Sequence, residues 1–544
     1  MKKLLKKLIP DWMLSIYHWK LALLGALVYS FPSRKLKVIG VTGTKGKSTV
    51  VMLAGKVLAE LGDNSPQPPL NLRGGENTNP PQPSFSKGGK TGLPKSDFKG
   101  SPKSDFGSPK VGWISSLTIN DGKKEVMNPY HMTMPGRFFI QKTLAQMVKN
   151  GCEYALVEVT SEGIKQHRHR FIDWLGVVFT NLAAEHLEAH GGFENYRKAK
   201  MKLFAAVAKN KESFGVYNLD DENVEWFLRY PVSKKYGYGV SLRGVPPWRD
   251  DAAIPRTAVA VRDCFATLAM TDVKLNANGS EFKINGVKFK TNLLGEFNVY
   301  NCAAAAAVGQ ACGVTLEETA RALGRVQSIP GRLEIINEGQ DFTVVVDLAH
   351  TPDSFEKVFR LFKELKNKSH SPFFQEASRP TPAISPSPQT CPASCERRGE
   401  EGQGGALNIT SPDPSSTEEG RKTSRIISVF GSAGGGRDKW KRPELGKIAS
   451  QHSDQVFITN EDTYDEDPLA IATEILTGCD KAKADIILDR RQAIAKALSL
   501  AQKDDIVLIL GKGTEQTMFL GDKKINWDDR NVVREEIKKI KADL

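Results

Sequence analysis

Seven consecutive residues, Gly43-Thr44-Lys45-Gly46-Lys47-Ser48-Thr49, carry the sharpest chemical signal in the chain. They follow an apolar run, Lys37–Val41, and precede the helical pattern Val50–Leu61. A glycine-rich turn between a strand and a helix aims backbone N–H groups at an anion, and the helix dipole adds to the attraction. In that setting Lys47 reaches the terminal phosphates of ATP or GTP, and Ser48 offers a hydroxyl to Mg2+. The usual first glycine is displaced, because position 41 is Val with Gly40 beside it. As structure alone, the same glycines would make a tight turn. A metal-bound phosphate also needs an acidic partner, and Glu158 ends the next buried strand, YALVEVT. Further along, His186 and His190 stand four apart, as on one helical face. A zinc protease needs Glu directly after the first His, and Leu187 stands there. Taken alone, the pair reads as surface or capping histidines.

These side chains converge only if strands end beside the loop. Runs such as Tyr154–Val159, Val177–Thr180, Thr343–Asp347, Ile426–Phe430, Gln455–Ile458 and Asp505–Leu510 read as strands alternating with helices. That alternation favours α/β layers on mainly parallel sheets. A break near Ile329-Pro330-Gly331 separates two α/β domains, expected over 37–328 and 329–544. Residues ~63–109 and ~367–424 are rich in Pro, Gly and Ser with almost no apolar periodicity, so both read as disordered insertions. Their flanks join naturally: helical Val50–Leu61 to strand-like Lys110–Ser116, and helical Ser354–Lys366 to strand Arg425–Phe430. A weaker candidate insertion, ~241–270, precedes the strand-rich Val273–Lys290.

Composition sets the outer limits. The 544 residues, 40% of them hydrophobic, suggest about three domains at roughly 150 residues each and exclude a wholly disordered chain. Seven cysteines without regular spacing suggest reduced thiols in a cytoplasmic protein. A net charge of +13 invites a nucleic-acid reading, but eight Lys/Arg and one Asp fall in residues 1–37 alone. The rest of the chain is unremarkable, so nucleic acid is not an expected partner. In residues 1–36, four lysines precede a largely apolar run interrupted by His18 and Lys20. The interruption argues against a membrane span. Two readings stay open: an amphipathic helix at the inner membrane surface, or a helix packed on the first domain.

The motifs GTKGKST, EVTSEGIKQHR, FTNLAAEHLEAHGGFENYRKAKMKLF, GEFNVYN, GRLE, VVDLAHTPDS, FGSAGGGRDKWKRP and GKGTE occur in an order that resembles the Mur ligases. The likeness is greatest to the UDP-N-acetylmuramyl-tripeptide synthetase branch and runs from residue 37 onward, insertions excepted. It implies a central phosphate-loop ATPase domain with a mainly parallel sheet and a C-terminal Rossmann-like ligase domain. It also implies an ATP- and Mg2+-dependent reaction joining an amino acid to a UDP-muramyl-peptide through an acyl phosphate. By the same resemblance, Gly43 to Thr49 bind ATP, with Lys47 on the γ-phosphate, while Ser48, Glu158 and His186 hold Mg2+. Lys200 matches the lysine that CO2 converts to a carbamate, which would serve as a further metal ligand. Asn298, Asn301, Arg332 and Asp347 match nucleotide-side positions. Thr133, Ser161, Gln166 and Arg168 match the sugar-peptide side, and Arg437, Gly511 and Glu515 the incoming amino acid. His350 lies in the same cleft without an assigned role.

Three departures qualify the resemblance. About 37 residues precede the ATP loop, fewer than the branch's uridine-binding domain, so either the uridine end is held differently or the N-terminal helix partly substitutes. The Asp-Asn-Pro-Arg signature of diaminopimelate-adding enzymes reads Glu461-Asp462-Thr463-Tyr464, which favours a cationic side chain such as lysine. Thr514 stands where His is common. Two rival readings are a related ligase acting on a folyl or polyglutamyl carboxylate, and a non-catalytic nucleotide-binding scaffold at a membrane.

Overall fold

The computed structural model describes residues 10–61, 110–130, 132–183, 185, 190–240, 265–368, 424–436 and 438–542. The two longer candidate insertions fall almost wholly outside these residues, as do His186 and Arg437.

The apolar runs of the first half form one eleven-stranded sheet. In chain order its strands are β1 (Lys37–Thr42), β2 (Lys110–Ile114), β3 (Thr118–Asn120), β4 (Glu125–Met127), β5 (Cys152–Glu158), β6 (Trp174–Phe179), β7 (Phe214–Asn218), β8 (Lys234–Gly239), β9 (Phe265–Asn276), β10 (Gly279–Ile284) and β11 (Val287–Thr291). The spatial order is β11-β10-β9-β8-β7-β6-β1-β5-β2-β3-β4. Pairing is parallel from β9 through β2, and antiparallel only towards the two edges. Strand β1 lies at the centre and is buried along its length apart from Lys37. Helices cover both faces, so a strand here reads as a continuous apolar run rather than an alternation.

One face is covered by helices Lys47–Leu58 and Glu296–Cys312. The second carries a run of buried alanines, Ala303–Ala307, and small side chains let the two helices approach closely. The opposite face holds helices Arg137–Lys149 and Phe193–Val207. An N-terminal helix, Asp11–Val28, packs outside Arg137–Lys149.

The second half builds a six-stranded sheet from β12 (Glu334–Ile336), β13 (Thr343–Asp347), β14 (Ile426–Phe430), β15 (Gln455–Ile458), β16 (Ala484–Ile486) and β17 (Ile506–Leu510). Its order is β12-β13-β17-β14-β15-β16, parallel except for β12. Helices Pro352–Lys368, Lys441–His452 and Pro468–Leu476 pack on one face, and Arg490–Leu500 with Asp529–Ala542 on the other. This is the expected α/β class.

Three sequence expectations shift. The helix after the phosphate loop begins at Lys47, not Val50, with Gly46 as its N-cap. Lys47, Ser48 and Thr49 are polar and invisible to apolar periodicity, yet Ser48 and Thr49 are buried. The weaker candidate insertion, ~241–270, ends too late, because residues 265–270 already belong to β9. Asn367 and Lys368, assigned to the later insertion, continue the helix that begins at Pro352. Among the described residues no helix is long and apolar enough to cross a membrane, and the described cysteines are free.

Candidate active site

The phosphate loop leaves β1 and is fastened by the ends of neighbouring strands. Gly43 (φ +148°) and Gly46 (φ +79°) adopt conformations that disfavour other residues. A Cβ on Gly43 would fall 2.0 Å from Thr180 Oγ1. Thr180 Oγ1 donates to the Lys45 carbonyl (2.7 Å), and Lys45 N donates to Asn181 Oδ1 (2.8 Å). Thr44 Oγ1 accepts from Ala183 N (2.9 Å) and lies 3.1 Å from the Tyr196 hydroxyl. Lys47 Nζ donates to the Thr44 carbonyl at 2.7 Å, curled back over the loop it serves.

Ser48 Oγ donates to Glu158 Oε2 at 2.8 Å. The same carboxylate oxygen accepts from Ser116 N (2.8 Å), and the two serine hydroxyls lie 2.7 Å apart. A hydroxyl and a carboxylate, converging beside a phosphate cradle, form a hard oxygen donor set that suits Mg2+. Ser116 was not singled out from sequence. It lies beyond β2 and is joined to Glu158 only by folding.

Lys200, on helix Phe193–Val207, is 1% exposed and donates from Nζ to the Gly43 carbonyl at 2.6 Å. Burial drives its pKa well below the ordinary lysine value, and the cation of Lys47 adds to the fall; Glu185 and Glu158 oppose it. The amine is therefore held towards its neutral, nucleophilic form. Next to it opens a cavity of about 220 Å³ lined by Lys47, Thr133, Ser161, Gln166, Arg168, Glu185, Tyr196 and Lys200 among others. All four expected acceptor-side residues thus share one chamber with Lys47 and Lys200. Arg168 is tethered by Gln166 Oε1 (2.6 Å) and by the Met134 carbonyl, while its buried Nε has no partner among the described residues. Ser161 Oγ lies 3.0 Å from His190 Nε2.

Residues of the other helical layer and of the second sheet lie near the phosphate loop as well. Asn298 Nδ2 donates to the Leu294 carbonyl (2.8 Å), and Asn301 Nδ2 donates to Asn298 Oδ1 (3.0 Å). Asn301 Oδ1 sits over Gly46, where an added Cβ would meet it at 2.4 Å. Asp347, at the end of β13, accepts from Leu333 N (2.8 Å) and Ala349 N (2.7 Å). Burial raises its pKa, with Arg332 and Lys45 opposing.

The phosphate loop touches the second sheet's layer through Lys45. Its Nζ donates to Thr351 Oγ1 (2.5 Å) and to Ser354 Oγ, at the start of helix Pro352–Lys368. Burial lowers the Lys45 pKa, against the attraction of Glu185 and Asp353. His350, three residues past Asp347, has its pKa pushed down to about 4, by burial first and then by Lys45 and Lys441. It is neutral at pH 7.

A second polar cluster surrounds Gly511 (φ +108°), just beyond β17. Lys512, fully buried, donates to Asp462 Oδ1 (2.9 Å) and to Glu515. Burial lowers the lysine's affinity for its proton, but Glu515, Asp462 and Glu461 together outweigh it and raise the pKa. Glu461 is buried against Gly511, its pKa raised by burial. Asp462 also accepts from Phe519 N (2.9 Å), and Tyr464 stacks on Phe519 with centroids 5.2 Å apart. Two of the acids expected to surround a cationic substrate are thus already paired with Lys512.

An anion-binding loop, a hydroxyl–carboxylate pair beside a chamber, and a second α/β layer held to the loop through Lys45 define a nucleotide-dependent group-transfer enzyme. The sequence matches the Mur ligase middle domain over residues 110–309, and the Mur ligase glutamate ligase domain over 415–513. It is 31% identical to a UDP-N-acetylmuramyl-tripeptide synthetase of Borreliella afzelii, over 94% of this chain and 78% of that protein. It is 28% identical to a UDP-N-acetylmuramoyl-L-alanyl-D-glutamate--2,6-diaminopimelate ligase of Syntrophomonas wolfei, over 95% and 81%. In fold it superposes on folylpolyglutamate synthase of Mycobacterium tuberculosis with a TM-score of 0.53, covering 92% and 93% of the chains at 12% identity. The chain belongs to the Mur ligase family. It is an ATP-dependent, ADP-forming amide ligase of peptidoglycan precursor synthesis that uses Mg2+.

Proposed function

We propose that this ligase extends a UDP-N-acetylmuramyl-dipeptide by one amino acid, and that Lys200 works as its carbamate. The observation that carries the reading is Lys200: a fully buried lysine, kept towards neutrality, between the Gly43 carbonyl and the acceptor chamber. Its amine adds to CO2, forming an N–C bond and losing one proton, and so replaces a potential cation with an anion. Ser48, Glu158 and the Lys200 carbamate would hold Mg2+, with His186 as a further ligand, and the bound ion would supply charge stabilisation for the transferring phosphoryl group.

The acceptor's terminal carboxylate lies in the chamber, oriented by Arg168 and Gln166, with Thr133 and Ser161 on the same wall. A carboxylate oxygen attacks the γ-phosphorus, and the bond to the departing ADP oxygen breaks. Lys47 neutralises the charge that develops on the phosphoryl oxygens. Asn298 and Asn301 line the nucleotide side together with Arg332 and Asp347. The Lys45 bridge to Thr351 and Ser354 keeps the second layer closed over the loop, which limits hydrolysis of the acyl phosphate. The incoming amine, positioned by Glu515, Gly511 and Arg437, attacks the acyl carbon. The C–O bond to phosphate breaks, the amine gives up a proton and the amide forms. Tyr464 carries no charge for a distal carboxylate, which favours lysine over diaminopimelate.

Phosphate release tests the reading, with UDP-N-acetylmuramyl-L-alanyl-D-glutamate as acceptor and lysine or diaminopimelate as the amine. Release that needs both the acceptor and lysine supports it. Release with a folyl carboxylate and glutamate instead, or with no muramyl acceptor, rejects it.

A further inference from the structure

The N-terminal helix Asp11–Val28, here α1, is apolar on both sides. One half is buried: Ala22, Gly25 and Ala26 face inward, with Gly25 against the start of helix Arg137–Lys149. The other half exposes a continuous band of large side chains, including Trp12, Met13, Ile16, Leu24, Leu27 and Val28. Trp12 is 65% exposed and Leu27 54%. At 100° per residue these positions cover about half the helix circumference, with Lys20 near the middle of the arc and no acid among them. Isolated exposed apolar residues are ordinary, but a contiguous band marks a contact surface.

The sequence in which the band lies is basic. Residues 1–37 carry eight Lys/Arg against one Asp, and Lys20, Arg34 and Lys35 are exposed on the described part. Tyr17 and Trp12 have the apolar body and polar tip that suit a headgroup layer. No described helix is long and apolar enough to span a bilayer, so the helix fits in the plane of the interface.

The helix also touches the turn that neighbours the acceptor chamber. Ser15 Oγ lies 2.8 Å from His167 Nε2, and Trp19 packs edge-on against Phe171 at 5.4 Å. His167 sits between Gln166 and Arg168, both of which line the chamber. His167 and Phe171 hold positive φ values of 57° and 59°, so the helix braces a turn that would otherwise be disfavoured.

We propose that the exposed face of α1 docks on an anionic lipid surface and sets the acceptor chamber beside it. Each basic residue near such a surface is worth about fivefold in affinity at low salt. The full chain should therefore sediment with vesicles of equal phosphatidylcholine and phosphatidylglycerol, and not with phosphatidylcholine alone. Raising salt to ~0.5 M should weaken binding at least tenfold. The double variant Leu24→Glu/Leu27→Glu should lose at least tenfold in binding while unfolding at the wild-type temperature. Trp12→Ser provides a second, milder loss on the same face. Equal recovery in the supernatant with both vesicle types overturns the proposal. So does binding undiminished in both variants, or a dimer in light scattering that the double variant dissolves.

Discussion

Replacing Lys200 by Ala separates a structural lysine from a carbamate. In the structure its Nζ donates to the buried Gly43 carbonyl at 2.6 Å. Losing that donor should cost about 1–3 kcal/mol of stability. The catalytic loss should be larger than this packing change explains. An anion that helps bind metal against the transferring phosphoryl group compares with a transition-state contact, worth about 10²–10³ in kcat or roughly 3–4 kcal/mol. A carbamate would also leave a CO2 signature. An ordinary lysine amine, with a pKa of about 10.4, is neutral in roughly one molecule in 2,500 at pH 7, and each unit of depression raises that fraction about tenfold. Burial beside Lys47 lowers the Lys200 pKa, so the amine is primed for CO2 at neutral pH. In a phosphate-release assay, wild-type activity should fall when buffers are stripped of CO2 and return with bicarbonate. Lys200→Ala should be restored in part by acetate or propionate, which place a carboxylate in the vacated space. Activity of Lys200→Ala within threefold of wild type would refute the reasoning. So would wild-type indifference to CO2 together with failure of every short acid.

Other consequences follow from single positions. Gly46→Ala puts a methyl 2.4 Å from Asn301 Oδ1 at φ +79°, so calorimetry should record at least a tenfold weaker affinity for ATP. Tyr464→Arg supplies a cation beside Asp462 and should shift the kcat/KM preference from lysine towards diaminopimelate, read by amino-acid competition. Arg490 and Asp529 form a fully buried pair at 2.7 Å, so Asp529→Ala should lose about 3–5 kcal/mol in urea unfolding by stranding the guanidinium. His169 is buried with a pKa pushed down to about 3, by burial first and then by Arg170. The unfolded chain binds the extra proton below about pH 6.5, so stability should fall by about 1.4 kcal/mol per pH unit from there towards pH 3. His169→Phe should flatten that acid limb in thermal melts across pH.

The parts legible in the sequence are those where local pattern and burial agree. Thr343–Asp347, Ile426–Phe430 and Gln455–Ile458 are strands at the expected bounds, because parallel strands covered on both faces read as unbroken apolar runs. Gly43 to Thr49 could be read because one short segment holds its whole geometry. Thr133, Ser161, Gln166 and Arg168 needed a family resemblance to bring them together, since no periodicity links a loop near 133 to a turn near 168. Ser116 and the Lys45 bridge left no signal. Each becomes functional through a partner at least 40 residues away: Glu158 for the serine, Thr351 and Ser354 for the lysine. The acidic sequence around Glu461 suggested free negative charge. Lys512, 50 residues from Asp462, already pairs with it.

Strand polarity has a consequence for how this chain tolerates length. Thr42, Glu158, Phe179 and Asp347 all close their strands at the edge where the chemistry lies. Helix Lys47–Leu58 runs back from that edge, and β2 starts level with Cys152, at the beginning of β5. Leu61 and Lys110 therefore both lie on the far side of the sheet. The end of helix Pro352–Lys368 and the start of β14 lie likewise away from the chemistry. Closing a loop becomes only about 0.6 kcal/mol harder with each doubling of its length. Growth or shortening at these two junctions should therefore change stability little, which makes them suitable sites for an inserted reporter.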